Sequence, residues 1–390
     1  MTDRDTDRAG GGTWDVVVVG VGSMGSMALW HLASRGLRVL GVERHQIGHE
    51  LGAAGGRTRI FRVAYKEGAW YVPLLRRADE LWTELSALTD TELLRRTGAL
   101  TIGPAGHPEV VEVLRSVREF DLPHELLDGP TLAARYPQHR LHDDDLGVFD
   151  PQGGLLAPVT AIRTATGLAE SLGATVHTGR QAVRIEEAGD HVLVHTTDGV
   201  VRAGRVLVCG GPWTGELFGD VRERYEIRRV VLHWFRAADP DLFGPSRFPV
   251  GIRRSGPEAG LSFFPAGPDG LVKINLHIPK TPVTDLDEFD RTVPADYTTR
   301  VEAAAARLFT GVEPAAARAA AYFEGYTPDN HGLIGRPAGH SRVVSMSGFS
   351  GHGFKLAPVL AELGVDVLFD RAAGGPLDHL ALARTTGGHA

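Results

Sequence analysis

The stretch that decides the fold runs from residue 15 to residue 43 and reads DVVVVGVGSMGSMALWHLASRGLRVLGVE. Residues 15–19 are a largely β-branched run, which predicts a strand buried on both faces of a parallel sheet. The motif GVGSMG places glycines at positions 20, 22 and 25, a helical pattern follows it, and a second short strand ends at Glu43. An acid 18 residues after the last glycine completes an order that is typical of a dinucleotide-binding unit.

The three glycines and the acid each have a physical role in such a unit. Gly20 permits the tight turn, Gly22 lets a pyrophosphate approach the backbone, and Gly25 lets the helix pack closely on the strand. The helix N-terminus then faces the negative charge. The Glu43 carboxylate can accept hydrogen bonds from a ribose and would repel a 2′-phosphate. The alternative is a glycine-rich turn of an α/β protein that binds no nucleotide.

Length and composition exclude several classes of protein. A chain of 390 residues exceeds the usual size of a single core, so we expect two domains. The net charge of −7 does not favour binding to nucleic acid or to an anionic membrane. A single cysteine, Cys209, excludes an internal disulfide and a multi-thiolate metal site, so no metal is expected. We interpret Cys209 as a small buried residue.

The N-terminus and the apolar runs bear on location. Residues 1–12, MTDRDTDRAGGG, mix both charge signs and lack the pattern of a signal peptide, so we interpret them as a disordered leader. The longest apolar run, residues 16–30, contains three glycines and is shorter than a membrane span. We therefore expect a cytoplasmic protein.

The secondary-structure pattern of the sequence changes twice along the chain. Residues 228–235 (RRVVLHWF) and the strand around Lys273 suggest antiparallel pairing, whereas residues 342–347 (RVVSMS) read as a buried strand before a helix. The alanine-rich stretch from Ala303 to Ala321 predicts a helix.

We therefore predict a mixed α/β (α+β) fold with two domains. A discontinuous Rossmann-type nucleotide-binding domain would comprise residues 1–90, 150–225 and 325–390. A second domain, built on an antiparallel sheet, would comprise residues 91–149 and 226–324.

Two polar patterns lie within apolar surroundings. In residues 57–65 (RTRIFRVAY), Arg59 and Arg62 would share one face if the segment is helical, and they face either an anion or solvent. In VKINLH, strict alternation places Lys273, Asn275 and His277 on one face of a strand, with the first and last about 13 Å apart. That face borders either solvent or a cavity.

The segment SGFSGHGFK, residues 347–355, places three glycines on a strand-to-helix turn and a lysine where the helix begins. Glycine suits backbone that turns sharply or approaches another group closely. A cation at a helix N-terminus is mildly unfavourable because of the helix dipole. Lys355 therefore requires another reason to be there.

Together these residues resemble a known family. The GVGSMG turn, residues 57–82 (RTRIFRVAYKEGAWYVPLLRRADELW), VKINLH, YTPDNHGLIG and SGFSGHGFK occur in this order. From Trp14 to about Phe369 the chain is similar to the monomeric sarcosine oxidase and N-methyltryptophan oxidase family of FAD-dependent amine oxidases. The resemblance implies the fold of D-amino-acid oxidase and sarcosine oxidase, with FAD as the cofactor.

The resemblance also implies roles for individual residues. Arg59 would pack against the flavin, and Arg62 and Lys355 would pair with the substrate carboxylate. Lys273 would activate oxygen near the flavin, and His277 would lie in the active site. The residues implied in FAD binding are Gly20, Gly22, Ser23, Met24, Gly25, Glu43, Arg44, Thr58, Arg59, Val183, Gly351, His352, Gly353, Phe354 and Lys355.

The sequence departs from the family pattern at two positions. Many members attach FAD through a cysteine five residues before the threonine of a TPD motif. Here that threonine is Thr327 and the matching position is Tyr322, so non-covalent FAD is expected. A tyrosine expected near the substrate is replaced by Ser262, which points away from the family's usual small substrates.

The resulting hypothesis is an FAD-dependent oxidase of a secondary-amine amino acid, N-methyl or cyclic, that forms an imine and reduces O2 to hydrogen peroxide. Its partners would be the small-molecule amine and O2, with neither nucleic acid nor membrane. One alternative is a flavin dehydrogenase that passes electrons to a carrier, and another is a biosynthetic tailoring enzyme that acts on a larger amine. An NADPH-dependent aromatic hydroxylase and an FAD-bearing binding protein are the remaining classes.

Overall fold

The computed structural model describes residues 13–254, 260–372 and 374–384. The expected leader at residues 1–12 lies outside the described residues. Within them, the strands form two eight-stranded sheets and one three-stranded sheet. No helix in these ranges is both long and apolar enough to cross a membrane.

The strands are numbered in chain order. They are β1 (Trp14–Val19), β2 (Val39–Glu43), β3 (Arg59–Phe61), β4 (Leu94–Arg95), β5 (Ala99–Pro104), β6 (Glu125–Leu127), β7 (Asp145–Asp150), β8 (Gly154–Leu156), β9 (Thr175–Thr178), β10 (Ala182–Ala188), β11 (His191–Thr196), β12 (Gly199–Val208), β13 (Glu226–Ala237), β14 (Val250–Arg253), β15 (Leu261–Phe264), β16 (Leu271–Leu276), β17 (Val312–Tyr326), β18 (Leu333–Gly335) and β19 (Val343–Ser347).

The α-helices are numbered in the same way, and three short 3-10 helices accompany them. The α-helices are α1 (Ser23–Ser34), α2 (Val72–Thr89), α3 (Pro108–Glu119), α4 (Gly129–Arg135), α5 (Pro158–Ser171), α6 (Thr214–Leu217), α7 (Gly219–Arg222), α8 (Ala295–Leu308), α9 (Ala357–Leu368) and α10 (Pro376–Leu380). The 3-10 helices span Ala69–Tyr71, Gly211–Trp213 and Phe354–Leu356.

The first sheet contains the predicted dinucleotide-binding unit. Its strand order is β10-β11-β12-β1-β2-β9, with β19 paired to β12 and β18 paired to β19. Strands β12, β1, β2 and β9 run parallel to one another, and β19 runs parallel to β12. Helix α1 is buried from Met24 to Ala33 because it packs against α5 and α9 as well as β1 and β2. The prediction of a strand, glycine turn, helix and strand over residues 15–43 is confirmed.

The second sheet has the order β17-β13-β16-β15-β14-β5-β7-β6. Its pairs are antiparallel except for β5 and β14, which are parallel. The expected antiparallel pairing of RRVVLHWF is confirmed, with Trp234 opposite Lys273. A phenylalanine-rich core supports this sheet and includes Phe235, Phe248 and Phe263.

The two large sheets draw on different parts of the chain. All strands of the first sheet fall within residues 1–90, 150–225 and 325–390. Those of the second fall within residues 91–149 and 226–324, apart from the last residue of β7 and the last two of β17. We propose the domain division predicted from the sequence on this basis.

The predicted helix over residues 303–321 is wrong, and the helical condition stated for Arg59 and Arg62 is not met. Residues 303–321 are not one helix, since α8 ends at Leu308 and β17 begins at Val312. Gly311 lies between them with φ of +79°, and pairing of β17 with the long strand β13 outweighs the helix propensity of alanine. The segment around Arg59 is a strand, so Arg59 and Arg62 do not share a helical face.

Candidate active site

Two cavities meet between the sheets. The first lies beside the glycine turn, and the second, with a volume of about 450 Å³, is lined by residues of β13, β15 and β16 among others. Both are lined by Arg59, Glu324, Ser350, Gly351 and Phe354. A ligand filling the first cavity would therefore reach the second at these five residues.

The glycine turn has the geometry that a pyrophosphate site needs. A Cβ on Gly25 would lie 1.8 Å from the Gly20 carbonyl oxygen, so only glycine lets α1 pack this closely on β1. Gly20 has φ of +85°, which favours glycine. A Cβ on Gly22 would meet nothing within 4 Å, which leaves its backbone open to the cavity. The N-terminus of α1 carries no side-chain cap, so its amides can bind an anion.

Glu43 ends β2 at the wall of the first cavity and is 5% exposed. Its carboxylate accepts hydrogen bonds from the amides of Val21 and His45, both at 2.8 Å. Burial would raise its pKa, but hydrogen bonds from His49 and from these amides hold the pKa below its ordinary value. An ionised acceptor at this position suits a ribose.

Two further donors of the first cavity have no partner within the described part of the chain. Arg44 Nη1 and Trp213 Nε1 are buried without a hydrogen bond, although Arg44 Nη2 binds Asp287 at 2.7 Å. Both residues line the cavity. An acceptor-rich ligand such as FAD would satisfy these donors, so the residues present fit the cofactor implied by the sequence.

The predicted FAD-binding residues divide between the cavities. Those lining the first cavity are Gly20, Gly22, Ser23, Met24, Glu43, Arg44, Arg59, Gly351, Gly353 and Phe354. Thr58, His352 and Lys355 line only the second cavity. Val183 lines neither and is 52% exposed, whereas its neighbour Ala182 lines the first.

Lys273 lies in the interior on β16 and is 2% exposed, so its strand face borders a cavity and not solvent. Its Nζ donates to the carbonyl oxygens of Gly56 at 3.1 Å and Thr58 at 2.7 Å, and it lies 3.7 Å from the centre of the Phe264 ring. Burial, with a smaller contribution from positive Arg59, holds the pKa of Lys273 well below its ordinary value. A positive charge on Nζ is therefore favourable mainly when negative charge forms beside it.

Arg62 and Lys355 both line the second cavity, as predicted, but a carboxylate of the chain lies beside them. Arg62 Nη2 lies 3.2 Å from both oxygens of Glu67, while Arg62 Nε is buried and has no hydrogen-bond partner within the described residues. Burial would raise the pKa of Glu67, but Lys66, Arg62 and Lys355 hold it well below its ordinary value. Glu67 therefore supplies a negative charge of the chain itself, so the two cations can lie together without a substrate anion.

A hydrogen-bonded group holds Lys355 in place. Its Nζ donates to Tyr65 Oη at 3.4 Å, and Tyr65 Oη lies 3.0 Å from His352 Nδ1. Helix α2 also contributes, because Trp82 Nε1 donates to the Lys355 carbonyl oxygen at 2.9 Å. Burial lowers the pKa of Lys355 to about 7, although Glu67 acts in the opposite direction.

The turn before Lys355 has the sharply turning backbone that its glycines predict. Gly348, Ser350 and Gly351 have φ values of +65°, +52° and +82°. A Cβ on Gly351 would lie 2.9 Å from Tyr326 Oη, so this turn approaches β17 more closely than a side chain allows. The glycines place backbone at the junction of the cavities and direct Lys355 into the second cavity.

His277 and Ser262 form a polar pair on the wall of the second cavity. The Ser262 hydroxyl and His277 Nε2 are 2.6 Å apart, and both residues line the cavity. Burial holds the pKa of His277 well below its ordinary value, and the positive charge of Arg254 makes a smaller contribution in the same direction. A neutral imidazole beside a hydroxyl gives this wall a polar, uncharged character.

Tyr322 is the residue that the sequence resemblance matches to the family's flavin-linked cysteine. It is 6% exposed, its hydroxyl donates to Glu50 at 3.3 Å, and its ring packs on Gly55. Cys209 is buried, as expected, and its carbonyl oxygen packs under Gly20 at the other end of the first cavity. Burial raises the pKa of the Cys209 thiol, which makes it inert.

Three residues of the site were not singled out from the sequence. Glu67, Tyr65 and Glu324 all contribute to it, and the first two lie within the family-like segment that contains Arg62. Glu324 is an isolated acid between Phe323 and Gly325 in a strand that reads as alanine-rich, so no local signal marks it. In the described residues, no group of three or more His, Cys, Asp or Glu could hold a metal ion.

Cations outnumber acids around the second cavity. Its positively charged or basic residues are Arg59, Arg62, Lys66, Arg229, Arg254, Lys273, Lys280 and Lys355, and its acids among the described residues are Glu67 and Glu324. Such an excess favours an anionic ligand.

Comparisons with known proteins agree with this geometry. Residues 15–367 match the family model described as FAD dependent oxidoreductase. The chain is 33% identical to monomeric sarcosine oxidase of Streptomyces avermitilis, over 94% of this chain and 96% of that protein. It is 31% identical to N-methyl-L-tryptophan oxidase of Escherichia coli, over 95% and 99% of the two chains.

A solved structure of NikD, described as an unusual amino acid oxidase essential for nikkomycin biosynthesis, has the same fold. It superposes with a TM-score of 0.84 at 22% identity and covers 97% of this chain and 100% of that one. From the family model, the relatives and the two joined cavities, we conclude that the chain belongs to the FAD-dependent oxidoreductase family and is an FAD-dependent amine oxidoreductase.

Proposed function

We propose that this protein is an oxidase of a secondary-amine amino acid, N-methyl or cyclic, which produces an imine and hydrogen peroxide. The observation that carries the proposal is the placement of Arg62, Lys355 and Lys273 around one cavity that opens into the FAD site. The names of the two relatives, a sarcosine oxidase and an N-methyl-L-tryptophan oxidase, support an N-methyl amino acid as the substrate class.

The residues of the first cavity would hold FAD without a covalent link. The turn at Gly20 and Gly22 would bind the pyrophosphate of FAD, and Glu43 would bind its ribose. Arg59 would contact the end of FAD that reaches the second cavity. Bound FAD supplies the two-electron acceptor for oxidation of the carbon next to nitrogen. The chain's own residues bind the amine, orient it and control charge.

Arg62 and Lys355 would bind the substrate carboxylate. Arg62 Nε is buried and has no hydrogen-bond partner among the described residues, while Nη2 contacts Glu67, so Arg62 can bind a second anion through its remaining donors. Lys355 is held by Tyr65 and His352 and supplies a compact charge. The two cations would fix the carboxylate and so orient the α-substituents.

Lys273 would assist the reduction of O2. Burial and Arg59 lower the pKa of Lys273, and negative charge developing on oxygen would raise it again. A cation held in a dry site stabilises such charge strongly. This favours an oxidase over a dehydrogenase on the same scaffold.

The first experiment is an anaerobic screen of N-methyl and cyclic amino acids against the purified protein. We expect at least one to bleach the flavin absorbance, because the second cavity offers a carboxylate site next to FAD. Readmission of air should then yield one equivalent of peroxide for each amine. Bleaching without peroxide would indicate a dehydrogenase, and bleaching only by NADPH would contradict amine oxidation.

Acid precipitation should release the yellow colour into the supernatant. Tyr322 stands at the family's attachment position and Cys209 lies beside Gly20, so no thiol is available for the expected linkage. Absorbance of the supernatant and pellet measures the distribution. Flavin retained in the pellet would contradict this assignment.

Lys273→Met should slow reoxidation of the reduced flavin on the order of a hundredfold, because the stabilising charge is lost. Arg236→Met is the control, since Arg236 is exposed on the neighbouring strand β13 and lines neither cavity, and it should change reoxidation by less than about twofold. Stopped-flow mixing with O2 measures the rate, and FAD content checks folding. Equal rates of flavin reoxidation in both variants would contradict a role of Lys273 in the reduction of O2.

Binding of a simple carboxylate should weaken as pH rises through about 7. Lys355 has its pKa lowered to about 7, so its charge is fully present below that pH and is lost above it. With methoxyacetate, flavin absorbance should report a dissociation constant that rises up to about tenfold per pH unit above 7.

Two variants test which cation causes this dependence. Lys355→Met should remove the pH dependence and weaken binding at pH 6 by about tenfold or more. Arg62→Ala should weaken binding to a similar extent and keep the pH dependence. An unchanged profile in Lys355→Met would contradict the assignment.

A further inference from the structure

Glu324 places a carboxylate at the junction of the two cavities. It lies in β17, its side chain is 15% exposed, and it lines both cavities. A Cβ on Gly351 would lie 3.3 Å from Oε2, so the glycine leaves the space that this carboxylate uses. The proposed binding of FAD does not explain its position, because the residues assigned to the pyrophosphate and the ribose are the glycine turn and Glu43, and Glu324 lies at the junction with the second cavity.

One carboxylate oxygen of Glu324 accepts a hydrogen bond from the described part of the chain, and the other does not. Oε2 accepts a hydrogen bond from Tyr326 Oη at 2.9 Å. Oε1 lies 4.0 Å from Arg59 Nη2, which is too far for a hydrogen bond. Arg59 already donates to the carbonyl oxygens of Ala53 and Thr58, so Glu324 is not needed to satisfy it. Within the described residues, Oε1 has no hydrogen-bond partner.

Several charged groups surround this carboxylate. Arg228 lies opposite it in the β13–β17 ladder but pairs with Glu226. Lys280 lies over the Tyr326 ring, 4.2 Å from its centre, and Lys355 is close enough to be influenced by the Glu324 charge. Within the described residues, none of these cations donates a hydrogen bond to Oε1.

The other acid of the second cavity differs in this respect. Glu67 contacts Arg62 at 3.2 Å and Lys66 at 3.3 Å, so its charge is used within the chain. Glu324 is the described acid of this cavity that keeps an oxygen for a ligand. A hydrogen-bond donor of the ligand is the group that such an oxygen binds.

We propose that Glu324 Oε1 accepts a hydrogen bond from the amine nitrogen of the substrate while Arg62 and Lys355 hold its carboxylate. The inference rests on the proposed function. In an α-amino acid the nitrogen and the carboxylate are attached to the same carbon. The nitrogen of a substrate whose carboxylate is held by Lys355 therefore lies close to Lys355, in the cavity that Glu324 also lines and within reach of the Glu324 charge.

This contact defines the substrate class. The nitrogen must carry at least one hydrogen, so neutral secondary and primary amines are accepted and a neutral tertiary amine is not. The same oxygen also admits the protonated amine, in which the contact becomes a charge pair. A lone pair on a neutral secondary amine remains directed away from Glu324 and available for oxidation.

The test compares two ligands of the same shape. L-proline has a ring N–H, and tetrahydrofuran-2-carboxylate has a ring oxygen at that position. Each is titrated anaerobically into the FAD-loaded protein, and the dissociation constant is taken from the flavin spectrum or from saturation of flavin reduction. We expect wild type to bind proline at least tenfold more tightly.

Variants at Glu324 should remove this preference. Glu324→Gln should weaken proline binding by about tenfold, and Glu324→Leu by more, because the amide keeps an acceptor and leucine does not. Tetrahydrofuran-2-carboxylate should bind unchanged or more tightly in both. Glu226→Gln, an exposed acid on the neighbouring strand, is the matched control and should preserve the preference.

The outcomes separate this inference from the proposed function. Equal binding of the two ligands in wild type, or equal weakening of both in the variants, overturns the role of Glu324 and leaves amine oxidation standing. No binding of either ligand overturns both. FAD content of each variant shows whether the fold is retained.

Discussion

The close approach of α1 to β1 is the constraint on which the rest of the structure depends. A side chain at Gly25 would have its Cβ 1.8 Å from the Gly20 carbonyl oxygen, so helix and strand can meet only at glycine. This contact directs the uncapped N-terminus of α1 toward the first cavity. It also lets α1 pack against α5 and α9. Helix α9 directly follows the short 3-10 helix that contains Lys355, so the position of α9 determines where Lys355 lies.

The second cavity is organised by charge more than by shape. Arg62, Glu67, Lys66, Glu109 and Arg254 form a continuous series of contacts between opposite charges along one wall. Buried charges are tolerated because each has a partner or a hydrogen bond. The chain's own acids therefore stabilise the cationic site in the absence of a ligand, and a ligand anion has to compete with them.

The functional residues come from elements that lie far apart in sequence. Lys273 on β16 of the second sheet donates to the carbonyl oxygens of Gly56 and Thr58, just before β3. The Lys355 carbonyl oxygen accepts from Trp82 on α2, and its ammonium contacts Tyr65. These long-range hydrogen bonds join β16 to the segment before β3, and join the segment before α9 to α2 and Tyr65.

The sequence by itself determined the dinucleotide-binding unit, because a buried strand, three glycines at fixed spacing and an acid at the next strand end are all local requirements. It also identified Arg62, Lys273 and Lys355, through alternation, glycine spacing and resemblance. Tertiary structure decided what local patterns cannot express. The stretch after Gly311 is a strand because β13 pairs with it, in spite of the helix propensity of alanine. Glu67 lies on Arg62, and Glu324 lies at the junction of the cavities, only because distant segments pack together. Charge pairing depends on distance in space, and that distance is set by the fold of the whole chain.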